Sequence, residues 1–289
     1  MGLKEKNRRL VGILEACDAL AVAFSGGVDS TFLLAVAKEV LGERVLAITA
    51  TSAIHSRTES LAAAEIAMTL GVTHRVVASR EMELPEFVAN PSNRCYVCKR
   101  HVMTEVVRIA AEMGIAHVAH GVNVDDLDDF RPGLKAAEEM GLLAPLVEAG
   151  LTKADIRTLS RRMGLTTWNK PSMACLASRI PYGTAITPEN LRMVEEAEAF
   201  LRGLGFASCR VRHHGAVARI ELTQRDFKKA LATPARTAIV RRLREVGFRY
   251  VAVDLEGYVM GSLNRALEGK APRVQGVEGP SEPKHQKGH

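Results

Sequence analysis

Residues 19–30, which end in Ser25-Gly26-Gly27-Val28-Asp29-Ser30, limit the folds open to this chain more than any other stretch. Residues 19–24 form an apolar run that reads as a buried strand, and residues 30–41 follow with helix formers and apolar positions at helical spacing. A strand that breaks into a glycine loop and then a helix leaves several backbone N–H groups aimed at one anion. Gly26 and Gly27 lack the Cβ atoms that would block a phosphate, and the helix N-terminus adds a favourable dipole. The hydroxyls of Ser25 and Ser30 are further donors. The loop therefore predicts an anion site, with a nucleotide as the natural anion; a glycine turn that binds nothing is the bland alternative. Neither G-x-x-x-x-G-K-S/T nor G-x-G-x-x-G is present, which disfavours a Walker-type lysine on the γ-phosphate and a dinucleotide fold.

The rhythm continues with strands at 45–50, 74–78 and 117–120 and a helix at 57–70. Strands alternating with helices at this spacing indicate the α/β class with a doubly wound parallel sheet. In such sheets the nucleotide lies at the carboxyl ends of the strands, here Ala23, Phe24 and Thr49. The fourth strand ends in Gly121-Val122-Asn123-Val124-Asp125-Asp126, with Asp128, Asp129 and Arg131-Pro132-Gly133 close behind. Asn and paired Asp at that edge suit a ribose, a Mg²⁺ ion or both. Thr152 reads as a helix N-cap, and Lys153 and Arg157 share one face of its helix, towards phosphate or water.

Five cysteines, an odd number, argue against a disulfide framework and for metal, redox or nucleophilic use. Cys95 and Cys98 form a C-x-x-C in a segment, residues 90–99, that reads as a loop before a helix over 100–113. Such a pair suits one metal or a redox couple, or is idle. From residue 166 the pattern changes to an open segment in which Cys175 lies between Lys170 and Arg179. Flanking cations favour a thiolate, and so a nucleophile or metal ligand over a packed cysteine. A helix at 188–203, strands at 209–213, 217–222 and 249–254 and a helix at 237–246 make a second, smaller α+β domain. Arg210 and Arg212 share a strand face, able to clamp a phosphate or simply facing water. The expected domains are residues 1–165 and 166–268, with a disordered tail at 269–289.

Hydrophobic content of 47% and charged content of 25% are those of an ordinary soluble protein, and no run approaches a membrane span. No signal-peptide pattern opens the chain, so a cytoplasmic protein is expected. The net charge of +6 fits ATP and a phosphorylated substrate as well as nucleic acid, but 4% aromatic residues is thin for base stacking and argues against nucleic acid.

Ser25-Gly-Gly-Val-Asp-Ser30 resembles the SGGxDS loop of the PP-loop ATP pyrophosphatases, which split ATP between its α and β phosphates and adenylate a substrate. Residues 5–265 as a whole resemble one branch of that superfamily, the LarE-type sulfur transferases of nickel-pincer cofactor synthesis. The carrying motifs are that loop, residues 90–99, residues 121–126 with 131–133, and Lys170-Pro-Ser-Met-Ala-Cys-Leu-Ala-Ser-Arg179. The resemblance implies a pyridinium dicarboxylic acid mononucleotide substrate, ATP with Mg²⁺, and a thiocarboxylate product. It implies Cys175 as the catalytic thiol, which in single-cysteine members gives up its own sulfur. The three-cysteine set Cys95, Cys98 and Cys175 resembles that of members holding a [4Fe-4S] cluster, whose extra sulfide would spare the protein's sulfur. It places the nucleotide on Ala23, Phe24, Ser25, Gly26, Gly27, Asp29, Ser30, Thr49, Gly121, Asn123, Asp125 and Arg131. The substrate phosphate goes to Ser178, Arg179, Arg210 and Arg212, with Glu198, Glu221 and Asp226 as carboxylates for a metal nearby, and assembly is into hexamers. Competing readings are a tRNA thiolase of the same superfamily, an amidating synthetase and a non-catalytic nucleotide sensor.

Overall fold

The computed structural model describes residues 1–127, 132–171, 174–259 and 262–265. Helix α1 (Leu3–Glu15) leads into β1 (Leu20–Ala23), and the glycine loop then opens α2 (Val28–Leu41). β2 (Val45–Thr51), α3 (Arg57–Thr69), β3 (Thr73–Ala78), the short α4 (Pro85–Val88), α5 (Arg94–Glu112) and β4 (His117–His120) follow. The four strands pair in parallel in the order β3-β2-β1-β4, with Ala23 in register with Ile48 on one side and His120 on the other. Alternate residues of β1 serve opposite cores. Leu20 and Val22 join the cluster under α1, α2 and α3, while Ala21 joins the one under α5. Both faces are covered, as a doubly wound parallel sheet requires.

Residues 94–99 correct the loop expected there: α5 begins at Arg94, so both cysteines are helical. Asn90-Pro91-Ser92-Asn93 are the turn residues, and the next six include no helix breaker. Asn90 takes a left-handed φ of 55°. The Arg94 guanidinium donates back to its Oδ1, so the turn is pinned and the helix starts at once. Cys95 and Cys98, three apart, therefore lie on one helical face.

Beyond the sheet come α6 (Pro132–Glu139), α7 (Pro145–Glu148) and α8 (Lys153–Arg162). Thr152 caps α8 as expected, in a full capping box with Asp155. α9 (Pro188–Gly203), β5 (Cys209–His214), β6 (Val217–Leu222), α10 (Phe227–Leu231), α11 (Thr233–Val246) and β7 (Tyr250–Val253) form a second sheet with its own apolar cluster. β5 and β6 are antiparallel, and β7 joins β6 in parallel. α11 starts at Thr233 rather than 237 because Pro234 suits its first turn. A further cluster, of Ile54, Phe87, Leu176, Ala177, Ile180, Ile186, Leu191 and Val194, bridges the first sheet's loops to α9. Among the described residues no helix is long and apolar enough to cross a membrane.

Candidate active site

The glycine loop sits at the carboxyl end of the central strand. Gly26 has φ +66°, and a Cβ there would stand 3.0 Å from the Ala63 Cβ, so both backbone and packing demand glycine. The two serine hydroxyls brace the loop 3.0 Å apart. Ser25 Oγ accepts from Gly27 N at 3.4 Å and Ser30 Oγ from Ser25 N at 3.3 Å. Thr49 Oγ1 donates to the Phe24 carbonyl at 2.7 Å and lies 2.8 Å from His74 Nε2. Thr49 thus ties β2 to the end of β1 and, through His74, to β3, a link between neighbouring strands that no motif signals. Gly121 presses on the start of α2: a Cβ there would be 2.7 Å from Ser30 N.

Asn123 and Asp125 converge on the same edge, but their polar atoms are already engaged within the fold. Asn123 Nδ2 donates to Asp126 Oδ2 at 2.8 Å and to Asp29 Oδ1 at 3.4 Å. Asp125 Oδ2 accepts from Lys153 N at 2.9 Å, at the start of α8. Lys153 also pairs through its ammonium with Asp29. Burial nevertheless holds the Asp29 carboxyl above the ordinary carboxylate range, Lys153 only partly offsetting it. Lys170 Nζ donates to the Gly26 carbonyl at 2.8 Å, bringing the Cys175 segment onto the loop. Arg131, Asp128 and Asp129 lie outside the described residues.

The thiols gather next to this edge. Cys95 is exposed and Cys98 and Cys175 are half-buried, and each lies within electrostatic reach of the others. Cys98 and Cys175 pack against the Ile54–Phe87–Leu176 cluster, and Leu176 N donates to Ile54 O at 2.8 Å. Burial, then the charges of Cys175 and Glu81, push the Cys98 thiol far above its ordinary value. Glu81 is fully buried, held by the hydroxyls of Ser52 and Ser79. Burial also lowers Lys99 and, with the Lys99 charge, takes His120 down to about 3. Lys99 and His120 were missed as site residues because only the fold brings residue 99 to the end of β4. Among the described residues no three His, Cys, Asp or Glu side chains close around a single-ion position. Cys98 and Cys175 on their apolar floor, with the exposed Cys95 beside them, do match, in donor type, what an iron–sulfur cluster takes, since such clusters bind through thiolates. Cys17 and Cys209 are buried in the cores of the first and second sheets respectively, apart from these three.

The cations flanking Cys175 are otherwise engaged. Arg179, 1% exposed, forks onto Glu198 at 2.8 and 3.0 Å. Its Nη1 donates to the carbonyls of Ala174 at 2.6 Å and Cys175 at 2.9 Å and to Ser178 Oγ at 2.9 Å. Arg179 therefore shapes the thiol's backbone, and its charge reaches Cys175 without a hydrogen bond to the sulfur. Arg212 forks onto Glu221 at 2.9 and 2.8 Å and donates to Ser178 O at 2.8 Å. Arg210 does share its face, buried against the Tyr258 ring, and burial with the Arg179 charge lowers its pKa. Glu198 and Glu221 are thus tied to arginines and Asp226 to Thr223 Oγ1 at 2.5 Å, and among the described residues the three do not form a metal-binding group.

Residues 14–93 match the asparagine synthase family model, and this span contains the glycine loop. An uncharacterised protein of Synechocystis is 41% identical over 265 residues, 92% of this chain and 99% of its own length. Pyridinium-3,5-bisthiocarboxylic acid mononucleotide synthase of Lactiplantibacillus plantarum is 38% identical over 92% of this chain and 96% of that protein. A glutamine-hydrolysing GMP synthase of Aeropyrum pernix is 29% identical over 65% of this chain and 40% of its own length. With the parallel sheet, the phosphate loop and the full-length match to the bisthiocarboxylate synthase, the chain belongs to the LarE-type, ATP-dependent sulfur-transferring branch of the PP-loop enzymes.

Proposed function

We propose that the chain converts a carboxylate of a pyridinium-3,5-dicarboxylic acid mononucleotide into a thiocarboxylate at the expense of ATP. The observation that carries this reading is the gathering of Cys95, Cys98 and Cys175 beside a glycine loop that the Cys175 segment itself touches through Lys170. ATP lies on Ala23, Phe24, Ser25, Gly26, Gly27, Asp29, Ser30 and Thr49, with Gly121, Asn123 and Asp125 at the ribose edge; Arg131, outside the described residues, is assigned to the nucleotide by the family motif alone. Oxygen donors at Asp29 suit a Mg²⁺ ion on the phosphates, and the raised pKa of this carboxyl marks a charge that a further cation would offset. A substrate carboxylate oxygen attacks the α-phosphorus; the bond to the bridging oxygen breaks and its electron pair leaves with pyrophosphate. Sulfur then adds to the activated acyl carbon and AMP departs. Arg179 holds the Cys175 carbonyl, and Arg210, with Ser178, Arg179 and Arg212, supplies the positive field for the substrate phosphate. When bound, a four-iron cluster on Cys95, Cys98 and Cys175 supplies an extra sulfide as the sulfur donor, which leaves Cys175 intact. Residues 1–165 would do the adenylation and 166–268 the sulfur transfer and phosphate binding, in a cytoplasmic hexamer.

Anaerobic purification followed by iron, labile-sulfide and thiocarboxylate analysis tests this. Iron and sulfide bound to the chain, with more than one transfer per chain when inorganic sulfide is supplied, are expected. Metal-free protein that transfers sulfur once, leaving dehydroalanine at Cys175, would replace the cluster with sacrifice of the protein's own thiol. Transfer that requires tRNA would overturn the substrate.

A further inference from the structure

The phosphate loop has no lysine of its own, yet a triphosphate that loses pyrophosphate needs positive charge where the leaving group forms. Among the described residues two ammonium groups reach the loop and its helix, and they are not equivalent. Lys153 is committed: its Nζ pairs with the Asp29 carboxylate and its backbone N–H donates to Asp125. Exchanging that carboxylate for a phosphate would strand a partly buried acid. Lys170 is held differently. Its Nζ donates at 2.8 Å to the carbonyl of Gly26, a neutral acceptor inside the loop. Its own carbonyl accepts from Arg157 Nη2 at 3.3 Å, so the backbone at 170 is anchored on α8 while the ammonium is only lightly engaged. The buried Nε of Arg157 has no hydrogen-bond partner among the described residues, so positive charge there is also incompletely matched. An ammonium gains from an anionic oxygen a charge–charge attraction that a neutral carbonyl does not offer. Replacing the Gly26 carbonyl by a phosphate oxygen is therefore downhill for Lys170, and uphill for Lys153.

We propose that Lys170 binds the pyrophosphate half of ATP and stabilises it as it leaves, supplying from the Cys175 segment the cation that the loop lacks. The inference rests on the ATP-cleaving reading given above. As the bond between the α-phosphorus and the bridging oxygen breaks, the electron pair passes to pyrophosphate, and the Lys170 ammonium faces that growing charge. Because Lys170 lies five residues before Cys175, the segment carrying the thiol is tied to the leaving group until it departs.

Calorimetric titration of the full chain with magnesium pyrophosphate and, separately, with AMP tests this, using the wild type, Lys170→Met and Lys170→Arg. AMP lacks the leaving phosphates and reports whether the site is otherwise intact. Lys170→Met is expected to weaken pyrophosphate binding about tenfold or more while AMP affinity stays within about twofold, and Lys170→Arg to recover most of the loss. Unchanged pyrophosphate affinity in Lys170→Met, or equal loss of both ligands, overturns the role of Lys170 and leaves the ATP site standing. A wild type that binds neither ligand overturns the ATP site as well.

Discussion

Glu198 offers the sharpest test of how the thiol segment is held. Its carboxylate accepts from Arg179 Nε at 2.8 Å and Nη2 at 3.0 Å, from Val211 N at 3.1 Å and from Arg202 Nη1 at 3.3 Å. Glu198 and Arg179 are each 1% exposed, so neither can turn to water. Removing one partner of such a pair leaves an uncompensated buried charge, typically about 3–5 kcal/mol. Arg202 is 32% exposed and contributes well under about 1 kcal/mol of this. Glu198→Ala is therefore expected to lose roughly 3–5 kcal/mol in urea unfolding, shifting the midpoint by more than about 1 M. A double variant, Arg179→Met with Glu198→Leu, should lose less than the single one, since no charge is left alone. The pH dependence has a definite sign. Burial pushes the Glu198 carboxyl up, but the Arg179 hydrogen bonds and charge, the Arg210 charge and the Val211 N–H together outweigh it and the net pKa is depressed. A depressed carboxylate stabilises fully above its unfolded pKa and less as pH falls through the folded value. The gap between wild type and Glu198→Ala should be flat from about pH 6 to 8 and close below about pH 4. Arg179 also holds the Ala174 and Cys175 carbonyls, so sulfur transfer should fall under conditions where the variant is still folded. A variant of wild-type stability that instead loses a bound metal would refute the ion-pair account of Glu198.

Three further outcomes are expected. Gly121→Ala places a Cβ 2.7 Å from Ser30 N and 2.9 Å from Ser30 Cα, both backbone, so the start of α2 must move; about 1–3 kcal/mol of stability and most AMP affinity should go, read by calorimetry and urea titration. Thr152→Ala removes one half of the α8 capping box, and thermal unfolding should report a loss of about 1 kcal/mol. His120, held at about 3 by burial and the Lys99 charge, stays neutral in the fold but protonates near pH 6.5 when unfolded. The unfolded chain then binds the extra proton between those values, so stability should rise with pH across that window and level off above it; His120→Gln should flatten the rise in urea titrations.

How far the site was legible depends on the separation of its parts. Strand, loop and α2 were readable because their residues are contiguous and each local signal agrees: apolar run, paired glycines, helix formers. The Thr152 cap was readable for the same reason. The start of α5 was misread because turn residues at 90–93 were extended across the cysteines; Arg94 closing on Asn90 is a side-chain contact that composition does not announce. The arginines were placed on the right strand face by period-two alternation, but their occupants were not. Arg212 meets Glu221 across the β5–β6 hairpin, and Arg179 meets Glu198 on the next helix, pairings that need the register and the packing. Least legible were the ammonium contacts. Lys153 reaches Asp29 across 124 residues and Lys170 reaches Gly26 across 144, distances over which only the folded sheet carries information.

The central claim is that an ATP-activated carboxylate receives its sulfur at the three-thiol site with Cys175 preserved. Intact mass of the full chain, prepared anaerobically and compared before and after turnover with ATP and the dicarboxylic acid mononucleotide, tests it most directly. The polypeptide mass is expected to stay unchanged while thiocarboxylate and AMP accumulate together. Loss of one sulfur from the chain as H₂S, located at Cys175, would contradict it.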